Sequence, residues 1–164
     1  MSESSQILFA NIDNCCYFKL CGELRYTNAT GMDDLIERVF SAPIQCDQVV
    51  IDLNQAIFID STYVGLLASL ARYCQQQHLA KPTLFSTQNE INELLFSLCL
   101  DQAFQIVQQP TNVTADMTSI GAQHYSEQEQ GQMILRAHQA LIDLNDKNKA
   151  EFQPLVTLLQ QQLK

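Results

Sequence analysis

The sequence predicts an α/β fold. A mixed, mostly parallel sheet carries helices packed on one side, and a helical extension follows it. Three observations point there. Short apolar, β-rich runs alternate with stretches of helical period. The first two such runs are separated only by turn residues, as in a hairpin. From residue 126 onward only helical periodicity remains.

The elements follow in order. Residues 7–11 and 15–21 read as two strands, and Asp13-Asn14 between them is turn chemistry. Thr30 opens a helix, with Asp33 three residues on as an approximate capping box. Met32, Leu35, Ile36, Val39 and Phe40 recur at helical spacing until Pro43 ends the pattern. Residues 48–53 are nearly continuous in apolar side chains, which suits a central strand. Residues 62–77 form a second helix. Its run from Val64 to Cys74 leaves little polar surface, so the helix is largely buried. Residues 82–86 make a short strand. Thr87 with Glu90 caps a third helix, whose stripe is Ile91, Leu94, Leu95 and Leu98. Residues 104–107 complete the sheet.

Domain organisation follows from the same pattern: an α/β domain over 1–108, a linker or strap over 109–125, and a helical extension over 126–164. Ser126 with Glu129 is a capping box. The stripe Ile134, Ala137, Leu141, Leu144, Asn148, Phe152, Leu155, Leu159 then packs on its own domain or on a second copy, making a homodimer possible. Pro154 kinks or splits this helix. The cluster Asn145-Asp146-Lys147-Asn148 is where a break falls.

Composition excludes several functions. Hydrophobic residues are 46 % of the chain, enough for a core. Lys and Arg number 9 against 18 Asp and Glu, for a net charge of −9. Nucleic-acid affinity needs cations on phosphates, and anionic membranes repel such a chain. No apolar run reaches the ~20 residues of a membrane span. The first residues, Met-Ser-Glu-Ser-Ser-Gln, lack a basic n-region, so a cytoplasmic location is expected. The six cysteines are then free thiols, mostly buried. No cofactor is implied. No metal site is expected, because no C-x₂-C pair exists and His78, His124 and His138 are not at ligand spacing with any cysteine pair. His138, beside Ala137 and Leu141, reads as an interface residue. No P-loop, G-x-G-x-x-G, G-x-S-x-G or H-E-x-x-H occurs, so no catalytic residue is assigned and an enzyme is not expected.

The most informative stretch is 51–67, Ile-Asp-Leu-Asn-Gln-Ala-Ile-Phe-Ile-Asp-Ser-Thr-Tyr-Val-Gly-Leu-Leu. An apolar strand runs into an acid and two hydroxyls, and a helix starts at once. Ser61 and Thr62 therefore stand at a helix entrance that is expected to be exposed. Read locally, Asp60-Ser61 is either a helix cap or a site for an anion or phosphate at the helix's positive end. Asp60 lacks the partner carboxylate or histidine that acid–base work needs. Asp52 and Asn54 flank a strand end, where open α/β folds bind ligands.

These residues resemble the STAS domain family of anti-sigma factor antagonists. That family shows an apolar strand, a loop, then Asp-Ser-Ser-Gly-Leu-Gly and an apolar helix. The Gly22-Glu23-Leu24 run and the order of elements over about residues 7–108 are also similar. The resemblance implies that Ser61 is phosphorylated, with Thr62 as the alternative acceptor. It implies a partner surface of Asn54, Asp60, Ser61, Thr62, Tyr63 and Val64. It implies partners too: an anti-sigma factor or response-regulator-type protein, a serine kinase and a PP2C-type phosphatase. A STAS module binding a small ligand such as a nucleotide, without phosphorylation, is the alternative. The family glycine two residues after the phosphoserine is Tyr63 here, while the later glycine is kept as Gly65. This departure, and the C-terminal helices, are similar to a gammaproteobacterial branch.

Overall fold

A computed structural model describes residues 5–41, 46–111 and 116–163. The first pair of strands is β1 (Gln6–Ile12) and β2 (Cys15–Leu24). Their turn leaves only Asp13 and Asn14 unpaired, both at positive φ (52° and 66°). Two left-handed residues match the twist of a two-residue hairpin, and Asp and Asn accept that conformation at low cost. A 3₁₀ turn at Tyr26–Asn28 leads into α1 (Thr30–Ser41). Pro43, the expected helix stop, lies outside the described residues.

Next come β3 (Gln48–Asp52), β4 (Ala56–Ile59), α2 (Ser61–Gln76), β5 (Thr83–Phe85), α3 (Asn89–Ser97) and β6 (Gln105–Val107). The chain ends with β7 (Thr118–Ile120), α4 (Glu127–Ile142) and α5 (Asp146–Gln162). The strand order is β6-β5-β3-β2-β1-β7, with β4 also paired to β2. The pairs β1·β2 and β1·β7 are antiparallel and the others parallel, so the sheet is mixed and mostly parallel, as expected.

The burial pattern of β2 shows why the helices lie on one side. Cys16, Phe18 and Leu20 are buried, while Cys15, Tyr17, Lys19 and Cys21 are partly open. A period of two with one dry face is the mark of a singly covered strand. Phe18 and Leu20 join Val49, Ile51 and Leu84 in one core with Met32, Leu66, Leu67 and Leu70. Helix α2 lies in the middle of that core, with ten of its residues buried. It is covered on a second face by α4, whose buried side chains are Met133, Ala137, His138, Ala140 and Leu141.

Several expectations are corrected. Strand β4 was not anticipated. A register shift between Gly22 and Glu23 lets β2 leave β3 and pair with β4, so β4 lacks simple alternation and exposes both Ile57 and Phe58. Thr30 and Asp33 do not form a capping box. The Thr30 hydroxyl donates to the Gln123 carbonyl (2.7 Å) and accepts from the Gln123 amide (3.1 Å), while Asp33 binds Tyr125 and Arg136. Helix α3 begins after Gln88, with no side-chain cap from Thr87. The expected linker contains β7, which pairs with β1; its residues 112–115 lie outside the described ones. Pro154 does not split the extension, because α5 runs through it. The break falls between Ile142 and Asp146, where the Asn145 side chain caps α5 by accepting from the Asn148 amide (2.9 Å). All six cysteines are unpaired thiols, but only Cys16 and Cys74 are buried.

Candidate functional site

The site forms where β4 hands over to α2. Asp60 is the N-cap of that helix, with extended backbone (φ −100°, ψ 173°). One carboxylate oxygen accepts from the Tyr63 amide (3.0 Å), and the other from the Tyr26 amide (2.7 Å). Asp60 therefore caps α2 and also ties it to the 3₁₀ turn beyond β2. Both uses need an acceptor on a short side chain at this one position. This places Ser61 in the first position of α2, at the positive end of the helix dipole.

The Ser61 hydroxyl is not open, contrary to expectation. It is half-buried, and its oxygen lies 3.0 Å from Nε2 of His138 on α4. His138 is 2 % exposed, and its Nδ1 lies 2.8 Å from the Ile134 carbonyl. A carbonyl only accepts, so Nδ1 carries the proton of the neutral ring. Nε2 then offers its lone pair, and Ser61 donates to it. Burial lowers the His138 pKa from its ordinary value, opposed by the hydrogen bond to Ile134 and by the charge of Asp60. The Phe152 ring of α5 packs 5.3 Å from the imidazole.

The helix crossing explains how His138 reaches the serine. A Cβ built on Gly65 would lie 2.3 Å from the Ala137 carbonyl oxygen and 2.8 Å from the Ala137 Cβ. No side chain fits there, so Gly65 and Ala137 set the close approach of α2 and α4. Further along, Arg72 meets Asp143 (2.6 Å). On the other flank, Arg136 grips both oxygens of Asp33 (3.1 and 3.2 Å), and the Tyr125 hydroxyl donates to Asp33 (2.7 Å). Beside Asn148, whose amide donates to the Leu98 carbonyl (2.7 Å), Lys147 bonds the Ser97 carbonyl, which anchors α5 near α3.

The other residues singled out from sequence separate into two groups. Thr62, Tyr63 and Val64 point into the core, all buried. Tyr63 is 0 % exposed, and no group among the described residues partners its buried hydroxyl. Its ring therefore does not front the surface as expected, because the third position of α2 faces the sheet. Asn54 sits in the turn before β4, where its side-chain amide donates to the Gln109 carbonyl (3.3 Å) and its backbone amide donates to the Asp52 carboxylate (2.9 Å).

Sequence reasoning missed four residues. Tyr26, Ile57 and Phe58 are 45, 52 and 38 % exposed, beside Asp60, and Arg25 lies over the Phe58 ring (4.1 Å). Three large apolar side chains in the open around one turn form a patch of the kind found at interaction sites. Two adjacent apolar residues in so short a strand were the available signal. His138 is the fourth: the sequence marks it as an interface residue but carries no signal of its bond to Ser61. A cleft of about 480 Å³ lies away from Ser61, between α2, α4 and the start of β5. Among the described residues no group of His, Cys, Asp and Glu could hold a metal ion, and no helix is long and apolar enough to cross a membrane.

Comparison with known proteins agrees with this architecture. The solved structure of an anti-sigma factor antagonist from Mycobacterium paratuberculosis superposes with a TM-score of 0.54 at 19 % identity, covering 65 % of this chain and 87 % of that one. At that identity the likeness is one of fold. No curated protein matches. The profile of the STAS domain matches residues 6–113, the stretch that holds every strand but β7 together with Asp60 and Ser61, and the chain belongs to the STAS domain family.

Proposed function

We propose that this protein is a non-enzymatic, cytoplasmic partner-switching antagonist controlled by phosphorylation of Ser61. Unmodified, it binds an anti-sigma factor or a response-regulator-type protein and releases what that regulator holds. A serine kinase modifies Ser61 and ends the complex. A PP2C-type phosphatase restores it.

The observation that carries this reading is the placement of Ser61. It follows the capping Asp60 at the first position of α2 and sits next to the open patch of Tyr26, Ile57 and Phe58. Aromatic and aliphatic side chains of this kind anchor protein interfaces. A phosphate beside them adds roughly −1.5 to −2 charges to a surface that must lose water on binding. The fold shared with an anti-sigma factor antagonist gives the same direction. Asp60, Ser61, Tyr26, Ile57 and Phe58 are the proposed contacts; Thr62, Tyr63 and Val64 act from beneath by shaping the helix entrance. The small-ligand alternative has less support, because the cations of the cleft are already engaged, Arg72 by Asp143 and Lys81 by the Asp101 carbonyl.

The test is site mapping by mass spectrometry on protein isolated from its native cells. Phosphate on Ser61 is expected. Phosphate on Thr62 alone, or on neither, contradicts the proposal.

A further inference from the structure

A modifiable serine is ordinarily open to a kinase, yet here its hydroxyl is held by the chain's own C-terminal helices. We propose that α4 with α5 is a built-in occupant of the Ser61 face. In the closed arrangement His138 holds the Ser61 hydroxyl and α4 lies along α2. Modification of Ser61 requires α4 to leave, while Tyr26, Ile57 and Phe58 stay exposed with α4 seated. The inference rests on the reading of Ser61 as a phosphoacceptor and adds what controls access to it.

Three independent contacts define the seat. Gly65 lacks the side chain that would strike the Ala137 backbone. Ser61 donates to His138, and Arg72 pairs with Asp143. They spread along α2 from its first residue to its last turns, so α4 covers the helix rather than touching it once. The sequence of α2 agrees with permanent or frequent cover. Ten of its residues are buried, and among the helices its most extensive contact is with α4.

The chemistry makes cover and modification exclusive. Phosphoryl transfer forms a bond from Oγ to the γ-phosphorus of a nucleoside triphosphate. It breaks the bond to the bridging oxygen, and the hydroxyl proton passes to a base of the kinase. The attacking oxygen must face the nucleotide in line. In the closed form that direction is filled by the His138 ring, 3.0 Å away. After transfer, three phosphoryl oxygens would occupy the place of the imidazole. Their charge would also face a buried ring held neutral, beside the carboxylate of Asp60. Phosphorylation therefore keeps α4 off its seat.

The seat can be loosened from the α4 side without altering the STAS core. Ala137→Glu places a carboxylate against Gly65, and His138→Ala removes the acceptor of Ser61. Hydrogen exchange of the full-length protein reads the position of α4, and mass spectrometry of the same variants expressed in their native cells reads occupancy of Ser61. Ala137→Glu should raise exchange over residues 127–142 while the amides of β2 and β3 stay protected, and Ser61 occupancy should rise severalfold above wild type. Ser61→Glu should raise α4 exchange by about tenfold, the change that loss of one buried hydrogen bond makes in an equilibrium. If Ala137→Glu also unprotects β2 and β3, His138→Ala and Ser61→Glu decide the matter by the same readings. Opened helices with unchanged Ser61 occupancy overturn the cover while leaving the phosphoacceptor reading intact. Slower exchange in Ser61→Glu overturns it as well. Absence of phosphate on Ser61 in every form, opened or closed, removes the phosphoacceptor reading and the cover's role with it.

Discussion

Ser61 and His138 are separated by 77 positions in the chain and by one hydrogen bond in space. The sequence shows the first partner and hides the second, for a physical reason. Asp60 and Ser61 act within one turn of backbone, so a cap and a helix start are legible from neighbours alone. His138 acquires its role only through the Gly65–Ala137 crossing, which no local pattern announces. Tyr63 shows the opposite error. Its place beside Ser61 in sequence suggested a place beside it on the surface, but successive helix positions point about 100° apart. Two substitutions test this placement. Tyr63→Phe removes a buried hydroxyl with no partner among the described residues, and thermal denaturation should show unchanged or slightly higher stability. Tyr63→Gly, which restores the usual family residue, should destabilise by at least ~3 kcal/mol, because it empties a core position. A selective loss of partner affinity with full stability would return Tyr63 to the surface.

His138 also predicts a pH response. Its pKa is lowered in the folded protein, burial being the main cause and Asp60 the nearby charge that opposes it. The unfolded ring protonates near its ordinary value of 6.5, and the folded ring below that. The contribution is fully present above about 6.5 and is lost as pH falls through the folded pKa. Acidification from pH 7 to pH 5 should therefore weaken the docking of α4. Imidazole NMR of the full-length protein should follow it, with His138→Gln insensitive over the same window. Equal pH dependence in both proteins would contradict the assignment.

At the scale of elements, helix and strand stripes were legible wherever one face meets one neighbour. Helices α1 and α2, strand β3 and the Ser126–Glu129 capping box follow from period and local chemistry. The failures share a cause. Thr30 and Asp33 have the spacing of a cap, yet both side chains are drawn away to the strap and α4, where they form bonds over more than ninety positions. Strand β4 escaped because its partner β2 shifts register, which removes the alternation that marks a strand. The Asp33 cluster gives a direct test. Arg136→Met leaves a buried carboxylate with one fewer charged donor, and chemical denaturation should show a loss of about 1–3 kcal/mol. No loss would mean that Tyr125 alone holds Asp33.

At the scale of the whole molecule, the chain is an α/β layer with a second helical layer laid over α2. The nearly all-apolar sequence of α2 carries this information, since a helix buried on two faces leaves few positions for polar residues. The sequence stripe of the extension did not say which surface it meets. The structure seats it on its own domain, with Met133, Ala137 and Leu141 buried and Leu155 and Leu158 left in the open. Ending the chain after residue 125 should keep β7 and the sheet, uncover Leu66 and Ala68, increase binding of an apolar dye and lower the melting temperature by several degrees. A truncated protein with unchanged melting temperature and no dye binding would show that the second layer contributes nothing to the first.

On the proposed reading, one hydroxyl decides whether this molecule holds its regulator. Parallel affinity capture from the native cell, with full-length wild type, Ser61→Ala and Ser61→Asp as bait, tests it most directly. A regulator should be retained by the Ala form at least as well as by wild type and lost from the Asp form, while all three baits fold to the same extent by circular dichroism. The same proteins recovered in equal amounts on the Ala and Asp baits would contradict it.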